Sequence, residues 1–452
     1  MRKDNNHLPE FVGLMRNANL NKLVIDSFSK YYKQVLSGST GKLSKKEISP
    51  PGKKNLIDYN QLEKPIFSHL EKLVVIKLNG GLGTSMGLTK VKSLLKVKED
   101  FNFLDIITRQ ILYLREKSKK NIPLLFMNSF NTRDDTLSYL DKYPELKLPE
   151  IPLDFLQNKF PKIKQSDLSP LQNQNDNLNW NPPGHGEIYL VLMISGVLDQ
   201  LLDSGFEYVF LSNSDNLGAV VDEKILNYFA ENNISFMMEV CKRSQGDRKG
   251  GHLAQTRDGR LLLRETAQCP EQEVSEFQDI EKHKYFNTNN LWVNLKALKD
   301  ELIKNKYLLP LSLIINPKEV EDEKIYQIET AMGAAISVFE DSKAIVVNRD
   351  RFAPVKKTND LLVIWSDAYK LQQDYKLVLD ENLEEPPKVI LDERYYKTIE
   401  QLEEHCKDGI PSLKNCRKLE VSADVFFGKN VEISGDVKIT ENGKLEKEFC
   451  NK

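Results

Sequence analysis

The sequence has no long hydrophobic run. No apolar stretch approaches the ~18–20 residues that a helix needs to span a bilayer. The first residues, MRKDNNHLPEF, also lack the apolar segment of a secretory signal. Together, these two absences predict a cytoplasmic protein that does not act at a membrane.

Cysteine is scarce and widely spread. No two cysteines form a C-x-x-C pair, so the sequence indicates neither a disulfide framework nor a zinc site. We expect all of them to be reduced thiols. They are Cys241, Cys269, Cys406, Cys416 and Cys450.

An excess of charge of one sign is absent as well. Lys and Arg number 64 against 66 Asp and Glu, which leaves a net charge of −2. A protein without a basic excess does not attract a nucleic-acid backbone by charge alone, so nucleic acid is not expected as a partner. A hydrophobic content of 40% with 9% aromatics is typical of a globular chain.

The chain of 452 residues is long enough for several domains, and its patterning predicts three. Apolar residues recur at helical spacing between Leu14 and Leu36, and a polar stretch follows over 37–54. We therefore expect an N-terminal helical segment with a linker over 1–65, a central domain over 66–370 and a C-terminal domain over 371–452.

The central region alternates short apolar runs with amphipathic segments. This alternation predicts an α/β fold with a doubly wound, mostly parallel sheet. An Asp-Gly turn at Asp258-Gly259 predicts an added antiparallel hairpin. The predicted strands cover 73–78, 123–128, 207–212, 235–240 and 344–348, and the predicted helices cover 103–114, 136–143, 186–202, 223–231 and 326–339.

The C-terminal region carries a repeat of six residues. Such a period is typical of a β-helix, in which each short strand turns and stacks on the coil before it. Two ordinary β-hairpins remain an alternative, since an alternation of two fits inside a period of six. The repeated apolar pairs are Leu419/Val421, Val425/Phe427, Val431/Ile433 and Val437/Ile439.

The first predicted strand runs into a glycine-rich loop, residues 79–87, in which four of nine residues are glycine. Such a loop lets backbone amides approach a bulky anion, and phosphate is the natural candidate. The loop does not match a P-loop, because Gly87 is followed by Leu88-Thr89. A dinucleotide-binding unit is also disfavoured, because the next strand closes with Met127-Asn128 rather than an acidic residue. A turn whose glycines only relieve crowding remains an alternative.

Nine motifs, taken in order, resemble the UDP-glucose pyrophosphorylase family. The resemblance spans roughly residues 70–365, and the repeat in the tail also fits it. It implies a Rossmann-like nucleotidyltransferase domain and a left-handed C-terminal β-helix. The motifs are LNGGLGTSMG, Lys92, MNSFNT, PPGHG, SNSDNLGA, KGG, FNTNNLW, IETAMGAA and RFAPVKKTNDLL.

The family resemblance implies a reversible, Mg²⁺-assisted transfer of uridylate. Glucose 1-phosphate would attack the α-phosphorus of UTP in line, without a covalent intermediate, to give UDP-glucose and pyrophosphate. A broader UDP-sugar pyrophosphorylase and a non-catalytic UDP-sugar-binding protein are the alternatives. A homo-oligomer joined through the C-terminal β-helix also stays open.

The same resemblance implies two catalytic lysines and one metal ligand. Lys92 would face the leaving pyrophosphate as a helix begins beyond the glycine loop. Lys356, rather than its neighbour Lys357, would stabilise the transition state, and Asp215 would hold Mg²⁺. His185 would donate a hydrogen bond to a phosphate of the nucleotide.

Two further groups of residues are implied to bind substrate. Trp292, beside the second group, is expected to pack in the core. Those assigned to the nucleotide are Leu78, Gly80, Gly81, Met127, Gln157, Gly184 and Asn213. Those assigned to the glucosyl group are Gly251, Glu265, Asn287, Thr288 and Asn289.

Overall fold

The computed structural model describes residues 6–248, 250–446 and 449–450. Lys249 of the KGG motif lies outside the described residues. The helices are α1 (Leu8–Asn17), α2 (Lys22–Leu36), α3 (Phe103–Ser118), α4 (Arg133–Leu140), α5 (Ile188–Ile194), α6 (Val197–Asp203), α7 (Glu223–Glu231), α8 (Val274–Phe277), α9 (Leu295–Lys304), α10 (Thr358–Trp365), α11 (Glu393–Tyr396) and α12 (Ile399–His405).

The strands fall into one large sheet and several small ones. They are β1 (Ile48–Ser49), β2 (Leu56–Asp58), β3 (Leu73–Asn79), β4 (Lys96–Lys98), β5 (Phe101–Asn102), β6 (Leu124–Asn128), β7 (Asp154–Leu156), β8 (Phe160–Pro161), β9 (Ile163–Lys164), β10 (Trp180–Asn181), β11 (Tyr208–Asn213), β12 (Phe236–Lys242), β13 (His252–Thr256), β14 (Leu261–Arg264), β15 (Tyr285–Asn294), β16 (Ile314–Val320), β17 (Glu323–Glu329), β18 (Lys343–Val346), β19 (Tyr369–Leu371), β20 (Leu377–Leu379), β21 (Lys388–Leu391), β22 (Ser412–Val421), β23 (Val425–Phe427), β24 (Glu432–Ile439), β25 (Gly443–Leu445) and β26 (Phe449–Cys450).

The central sheet is mixed but mostly parallel, as predicted. Its main path runs in the order β2-β18-β12-β15-β11-β3-β6-β7. Strands β11, β3, β6 and β7 are parallel neighbours, while β15 runs antiparallel to β11 and β12. The parallel strands are mostly apolar because both faces are covered, as in β3, where every residue is buried, including Lys77 and Asn79. The hairpin predicted at Asp258-Gly259 is β13–β14.

Three helix predictions are corrected. The helix predicted from Leu14 to Leu36 is two helices, α1 and α2, which are separated at residues 18–21. The helix predicted over 186–202 breaks between α5 and α6 at Gly196, whose φ is +77°. The segment predicted as a helix over 326–339 is the end of β17 followed by a 3₁₀ turn, Met332–Ser337. There, Ile325 and Ile328 are buried side chains spaced three residues apart, a spacing that a helix shares.

The N-terminal segment is built into the central domain. Phe11 and Phe28 pack against each other with ring centroids 5.0 Å apart, and Phe28 meets Phe160 of β8 at 5.3 Å. The polar stretch predicted as a linker adds β1 to β13. Strand β2, inside the predicted N-terminal domain, pairs in parallel with β18 of the central sheet. A boundary at residue 65 therefore does not separate the segment from the sheet.

The C-terminal repeat forms parallel strands, not hairpins. Strand β22 pairs in parallel with β24, with Leu419 opposite Val437 and Val421 opposite Ile439, each eighteen residues along. Strand β23 pairs in parallel with β25 at the same offset. This offset of eighteen residues is three times the six-residue repeat of the sequence, and we call residues 412–445 the C-terminal coil. The buried residues of this coil belong to the same hydrophobic cluster as one face of the central sheet.

The C-terminal domain also contacts the glycine-rich loop directly. Gly87 has a φ of +78°, and a Cβ on it would lie 3.0 Å from the side chain of Thr398, which caps α12. The four cysteines whose side chains are described, Cys241, Cys269, Cys406 and Cys416, are buried and free, as predicted; the side chain of Cys450 lies outside the described residues.

No single helix among the described residues is long and apolar enough to cross a membrane. Two consecutive helical segments, His185–Ile194 and Val197–Asp203, together have the length and apolar composition of a membrane span, but a bend of 66° separates them.

Candidate functional site

Three neighbouring parallel strands end at one edge of the central sheet. In the pairing register, Leu78 of β3 lies opposite Met127 of β6 and Asn213 of β11. Because the carboxyl ends of parallel strands meet at one edge, motifs far apart in sequence come together here. Leu78 and Met127 are buried, while Asn213 is half-buried.

The glycine-rich loop leaves β3 at this edge and meets two other motifs. Oε1 of Gln157 lies against Gly80, at 3.2 Å from where a Cβ would stand. Nε2 of Gln157 donates to the carbonyl of Gly184 at 2.9 Å. A Cβ on Gly81 would meet no atom of the described residues within 4 Å. Packing therefore does not require glycine at position 81, and the open space there suits a ligand.

His185 is held in one tautomer. Its Nδ1 accepts a hydrogen bond from the backbone N–H of Met332 at 3.0 Å. The ring proton must therefore sit on Nε2, which is free to donate. Burial, aided by the charge of Lys356, lowers the pKa of His185 to about 4. The ring is neutral at pH 7, so it suits the predicted role of a hydrogen-bond donor.

Lys92 and Asp215 form an ion pair at the same edge. Nζ of Lys92 lies 2.5 Å from Oδ2 of Asp215, and both side chains are mostly buried. The N–H of Lys92 donates to the carbonyl of Gly81 at 3.2 Å, which holds the lysine beside the loop. Lys92 opens a 3₁₀ turn, Lys92–Leu94, and not the predicted helix, which begins only at Phe103.

Asp215 offers a hard oxygen donor to a cation. No group of three or more His, Cys, Asp or Glu side chains that could hold a metal occurs within the described ranges. A metal here would therefore take few ligands from the protein and the rest from phosphate and water, the usual arrangement for Mg²⁺. The single carboxylate beside an open glycine loop fits such an ion.

A cavity of about 760 Å³ opens next to this edge. It is lined by Lys356, Glu265, Gly251, Asn287 and Asn289, among others. Burial raises the pKa of Glu265, and the nearby charge of Lys356 partly opposes that shift. Nδ2 of Asn287 donates to Oδ1 of Asn289 at 2.7 Å. Carboxylate and amide groups in this arrangement suit a ligand rich in hydroxyls.

Gly251 and Glu265 approach each other closely in this cavity. A Cβ on Gly251 would lie 2.4 Å from Oε2 of Glu265, so any larger residue would displace the carboxylate. The carbonyl of Gly251 also accepts from the N–H of Asn287 at 3.2 Å. We call the residues around this cavity the cavity side. The glycine-loop side consists of residues 78–92 with Met127, Gln157, Gly184, His185 and Asn213.

Two residues of β15 lie on the opposite face of the strand from the cavity. Thr288 is buried, and its hydroxyl donates to the carbonyl of Glu239 at 2.7 Å. Its hydroxyl is thus directed to Glu239, and Thr288 is not among the residues that line the cavity, unlike Asn287 and Asn289. Trp292 is buried against Phe210 with ring centroids 4.5 Å apart, as predicted for core packing.

The neighbours Lys356 and Lys357 point to different partners. Lys356 lines the cavity, and its N–H donates to Oδ2 of Asp360 at 2.7 Å. Lys357 forms an exposed ion pair with Glu393 of α11 at 2.6 Å. Of the two, Lys356 is the lysine beside the predicted site.

Comparison with known proteins decides the family. The UTP–glucose-1-phosphate uridylyltransferase family model matches residues 25–434. The chain belongs to this family. The curated enzyme of that name from Musa acuminata is 42% identical over 94% of this chain and 91% of its own length. The one from Encephalitozoon cuniculi is 38% identical over 95% of this chain and 86% of its own length.

Solved structures agree with this placement. A UDP-glucose phosphorylase from Trypanosoma brucei superposes with a TM-score of 0.91 at 41% identity, covering 98% of this chain and 97% of that one. A variant of the UDP-glucose pyrophosphorylase of Leishmania major, solved in complex with UDP-glucose, superposes with a TM-score of 0.90 at 40% identity, covering 98% and 99%.

The sequence did not indicate that two arginines of this uridylyltransferase-family chain position a loop on the cavity side. The guanidinium of Arg243 donates to the carbonyls of Arg248 and Asp247 at 2.7 and 3.1 Å, and to that of Phe277 at 2.9 Å. Arg349 pairs with both carboxylate oxygens of Asp247 at 2.7 and 3.0 Å. Both arginines thus hold the loop residues 244–248 on the cavity side. No spacing in the sequence signals these contacts, because most of the acceptors are backbone carbonyls.

Proposed function

We propose that this site joins UTP and glucose 1-phosphate to form UDP-glucose and pyrophosphate, in a reversible reaction. A phosphate oxygen of glucose 1-phosphate forms a bond to the α-phosphorus of UTP, and the bond from that phosphorus to the β-phosphate oxygen breaks. The observation that carries the proposal is the meeting, at one edge of the sheet, of an open glycine loop, a lysine–aspartate pair and a cavity lined by carboxylate and amide side chains.

The chemistry requires positioning and charge neutralisation rather than a general base. A sugar phosphate is already an anion at neutral pH, so no proton has to be removed. We therefore assign no base role to His185, whose free Nε2–H suits donation to a phosphate oxygen. Two polyanions must approach each other, and the main contribution of the protein is to hold them in line.

Two lysines are proposed as catalytic residues. Lys92, beside the glycine loop, would neutralise the leaving pyrophosphate. Lys356, in the cavity next to Glu265, would contact the phosphates of both substrates as charge develops in the transition state. Leu78, Met127, Gln157 and Asn213 would surround the nucleotide.

We propose Mg²⁺ as the cofactor, held by Asp215 together with phosphate oxygens. When bound, the ion supplies charge neutralisation and orients the phosphates. The ion pair with Lys92 keeps the carboxylate at the sheet edge. Titrating turnover with Mg²⁺ in the intact protein and in an Asp215→Asn variant tests this assignment. We expect the variant to need more Mg²⁺, and equal requirements would contradict it.

The test of the reaction is pyrophosphate release from the purified protein with Mg²⁺ and UTP. Glucose, galactose and N-acetylglucosamine 1-phosphates are compared in parallel. Release selective for glucose 1-phosphate supports the proposal. Similar release with several sugars favours a broader UDP-sugar pyrophosphorylase. No release, with UDP-glucose still bound, favours a non-catalytic binding protein.

Three further points are proposals of the same kind. We propose that the C-terminal coil is a left-handed β-helix; its parallel pairing at an offset of eighteen residues supports a β-helix, and the family resemblance implies the left hand. We propose a cytoplasmic location, and a homo-oligomer joined through the coil. Light scattering of the full chain tests the oligomer; a monomer would contradict it.

A further inference from the structure

A second cavity lies on the other face of the strands that carry the site. Its volume is about 240 Å³. Helix α3 forms one wall with Ile107, Ile111 and Leu114, and Phe210 of β11 contributes to another. Loop residues 219–222 form a further wall of this cavity, and this loop comes shortly after Asp215 in the chain. Neither cavity shares a lining residue with the other.

Lys77 of β3 lines this second cavity and is itself buried, with 2% of its surface exposed. Its ammonium donates to the hydroxyl of Ser212 at 2.8 Å and to the carbonyl of Ala219 at 2.6 Å. An ammonium has three donors, and these are its two acceptors in the part of the chain that the structure describes. The third N–H has no hydrogen-bond acceptor in the described residues, and Nζ lies 5.6 Å from the ring centroid of Phe210, another residue of the lining. This N–H is therefore available to a hydrogen-bond acceptor in the cavity.

The charge of Lys77 has no ion-pair partner among the described residues. Glu239 is the nearby carboxylate, but it is engaged by Arg351 at 2.5 Å and by the indole N–H of Trp292 at 2.9 Å. A buried ammonium without a counter-ion is costly. Burial, together with the charge of Arg351, lowers the pKa of Lys77 to about 7. An acidic group in the cavity would supply the missing partner.

The remaining lining sets the character of that occupant. The walls are aliphatic and aromatic, and Lys117, Lys224 and Lys376 stand around them. The three acids of the lining have partners of their own. Asp222 accepts from the hydroxyl of Tyr59 at 2.8 Å and caps α7. Glu223 accepts from the hydroxyl of Ser68 at 3.2 Å, and Asp374 lies 3.5 Å from Lys376. Apolar walls with basic groups favour a ligand that has an apolar body and one acidic group.

We propose that this cavity is a second ligand site, which takes a small molecule with an apolar body and one carboxylate that pairs with Lys77. The ligand is coupled to the reaction, because Lys77 also holds the carbonyl of Ala219 in the loop that begins at Asp215. The effect of this ligand on the reaction rests on the proposed role of Asp215, whereas the binding of the ligand beside Lys77 does not.

Calorimetric titration of the full chain tests the binding without any turnover. The probes are indole-3-acetate and its neutral amide, indole-3-acetamide. A charge-assisted hydrogen bond predicts that the acid binds at least ~10-fold more tightly than the amide. Equal affinity for the two probes, or binding of neither, would overturn the proposal.

Three variants locate the binding. Lys77→Met should remove the preference for the acid, and it should fold because it removes a buried charge. Lys117→Met, at an exposed lining position, is the matched control and should keep that preference. Ile111→Phe should weaken both probes by narrowing the cavity. Melting temperatures confirm that each variant folds. A preference for the acid that survives in Lys77→Met would overturn the assignment.

The coupling has its own measurement. In the pyrophosphate-release assay, saturating indole-3-acetate should change the Mg²⁺ concentration for half-maximal rate by about fivefold, and the amide should not. An unchanged Mg²⁺ requirement, with binding intact, would overturn the coupling. If the enzyme releases no pyrophosphate at all, the proposed function fails while the calorimetric test of the site still stands.

Discussion

The glycine-loop side and the cavity side are held in place by different means. On the glycine-loop side, Leu78, Met127 and Asn213 are fixed by the hydrogen-bond register of three parallel strands. On the cavity side, the loop residues 244–248 are fixed by the side chains of Arg243 and Arg349. A strand register depends on the backbone, so single substitutions change it little. A loop fixed by two guanidinium groups depends on those two residues.

The largest expected effect is that of removing a charge from the cavity side. Lys356→Ala should lower kcat by ~10²–10³-fold, while the affinity for UDP-glucose changes less, because its contact strengthens in the transition state. Lys357→Ala is the matched control and should have almost no effect, since that lysine pairs with Glu393 at the surface. Steady-state kinetics and UDP-glucose titration measure both. Equal losses in binding and turnover would contradict a transition-state role.

A smaller effect should separate the two sides. Arg243→Met removes the donors that hold four backbone carbonyls, two of them those of Asp247 and Arg248, so the loop on the cavity side should lose its position. We expect KM for glucose 1-phosphate to rise by about tenfold with KM for UTP changed less than twofold. Arg260→Met, at the tip of the β13–β14 hairpin, is the control, because its ion pair with Asp258 is exposed. A parallel rise in both KM values would contradict the division of the site.

Acid should weaken the cavity side through two buried histidines. His252 and His283 stack at 3.9 Å beside Arg243 and Arg264. Burial and these charges lower the pKa of His252 to about 2 and that of His283 to about 4, below the ordinary value of 6.5. The unfolded chain therefore binds protons first, and stability should be lost as the pH falls from about 6.5 towards 4.

The measurement is the melting temperature between pH 7 and about pH 4.5, in the intact protein and in His283→Gln. Carboxylates elsewhere also respond to acid, so the difference between the two proteins is the quantity of interest. We expect the intact protein to lose a few degrees more than the variant, which lacks one titrating ring. Identical slopes would show that His283 does not titrate as its surroundings require.

The smallest effect belongs to the glycine-loop side. Met127→Leu conserves volume and leaves the pairing of β6 with β3 intact, so KM for UTP should change by less than about twofold. The same measurement on Gly251→Ala provides the contrast, because its new Cβ would collide with Glu265 and raise KM for glucose 1-phosphate. A large effect of Met127→Leu on UTP would show that the two sides do not differ as described.

The parts of the site that follow from strand ends could be predicted from the sequence. Apolar runs predicted β3, β6 and β11. Because the carboxyl ends of neighbouring parallel strands lie at one edge of the sheet, the motifs that follow these strands were expected to lie close together. The sequence could not show which face of β15 carries the side chain of Thr288, because both faces of this strand carry polar residues. Arg243 could not be predicted because its guanidinium donates to backbone carbonyls. Every residue has a carbonyl, so no residue type in the sequence marks the acceptors. The break at Gly196 and the strand β17 were missed because their apolar spacing also fits a helix.

The contact between Gly87 and Thr398 has a consequence for biosynthesis. A ribosome releases the glycine-rich loop about three hundred residues before it releases the cap of α12 that packs on the loop. During that interval the loop has no C-terminal domain against which to settle. A nascent chain therefore lacks this packing contact until residue 398 has been synthesised, so products that terminate before it should bind UTP more weakly than the full chain.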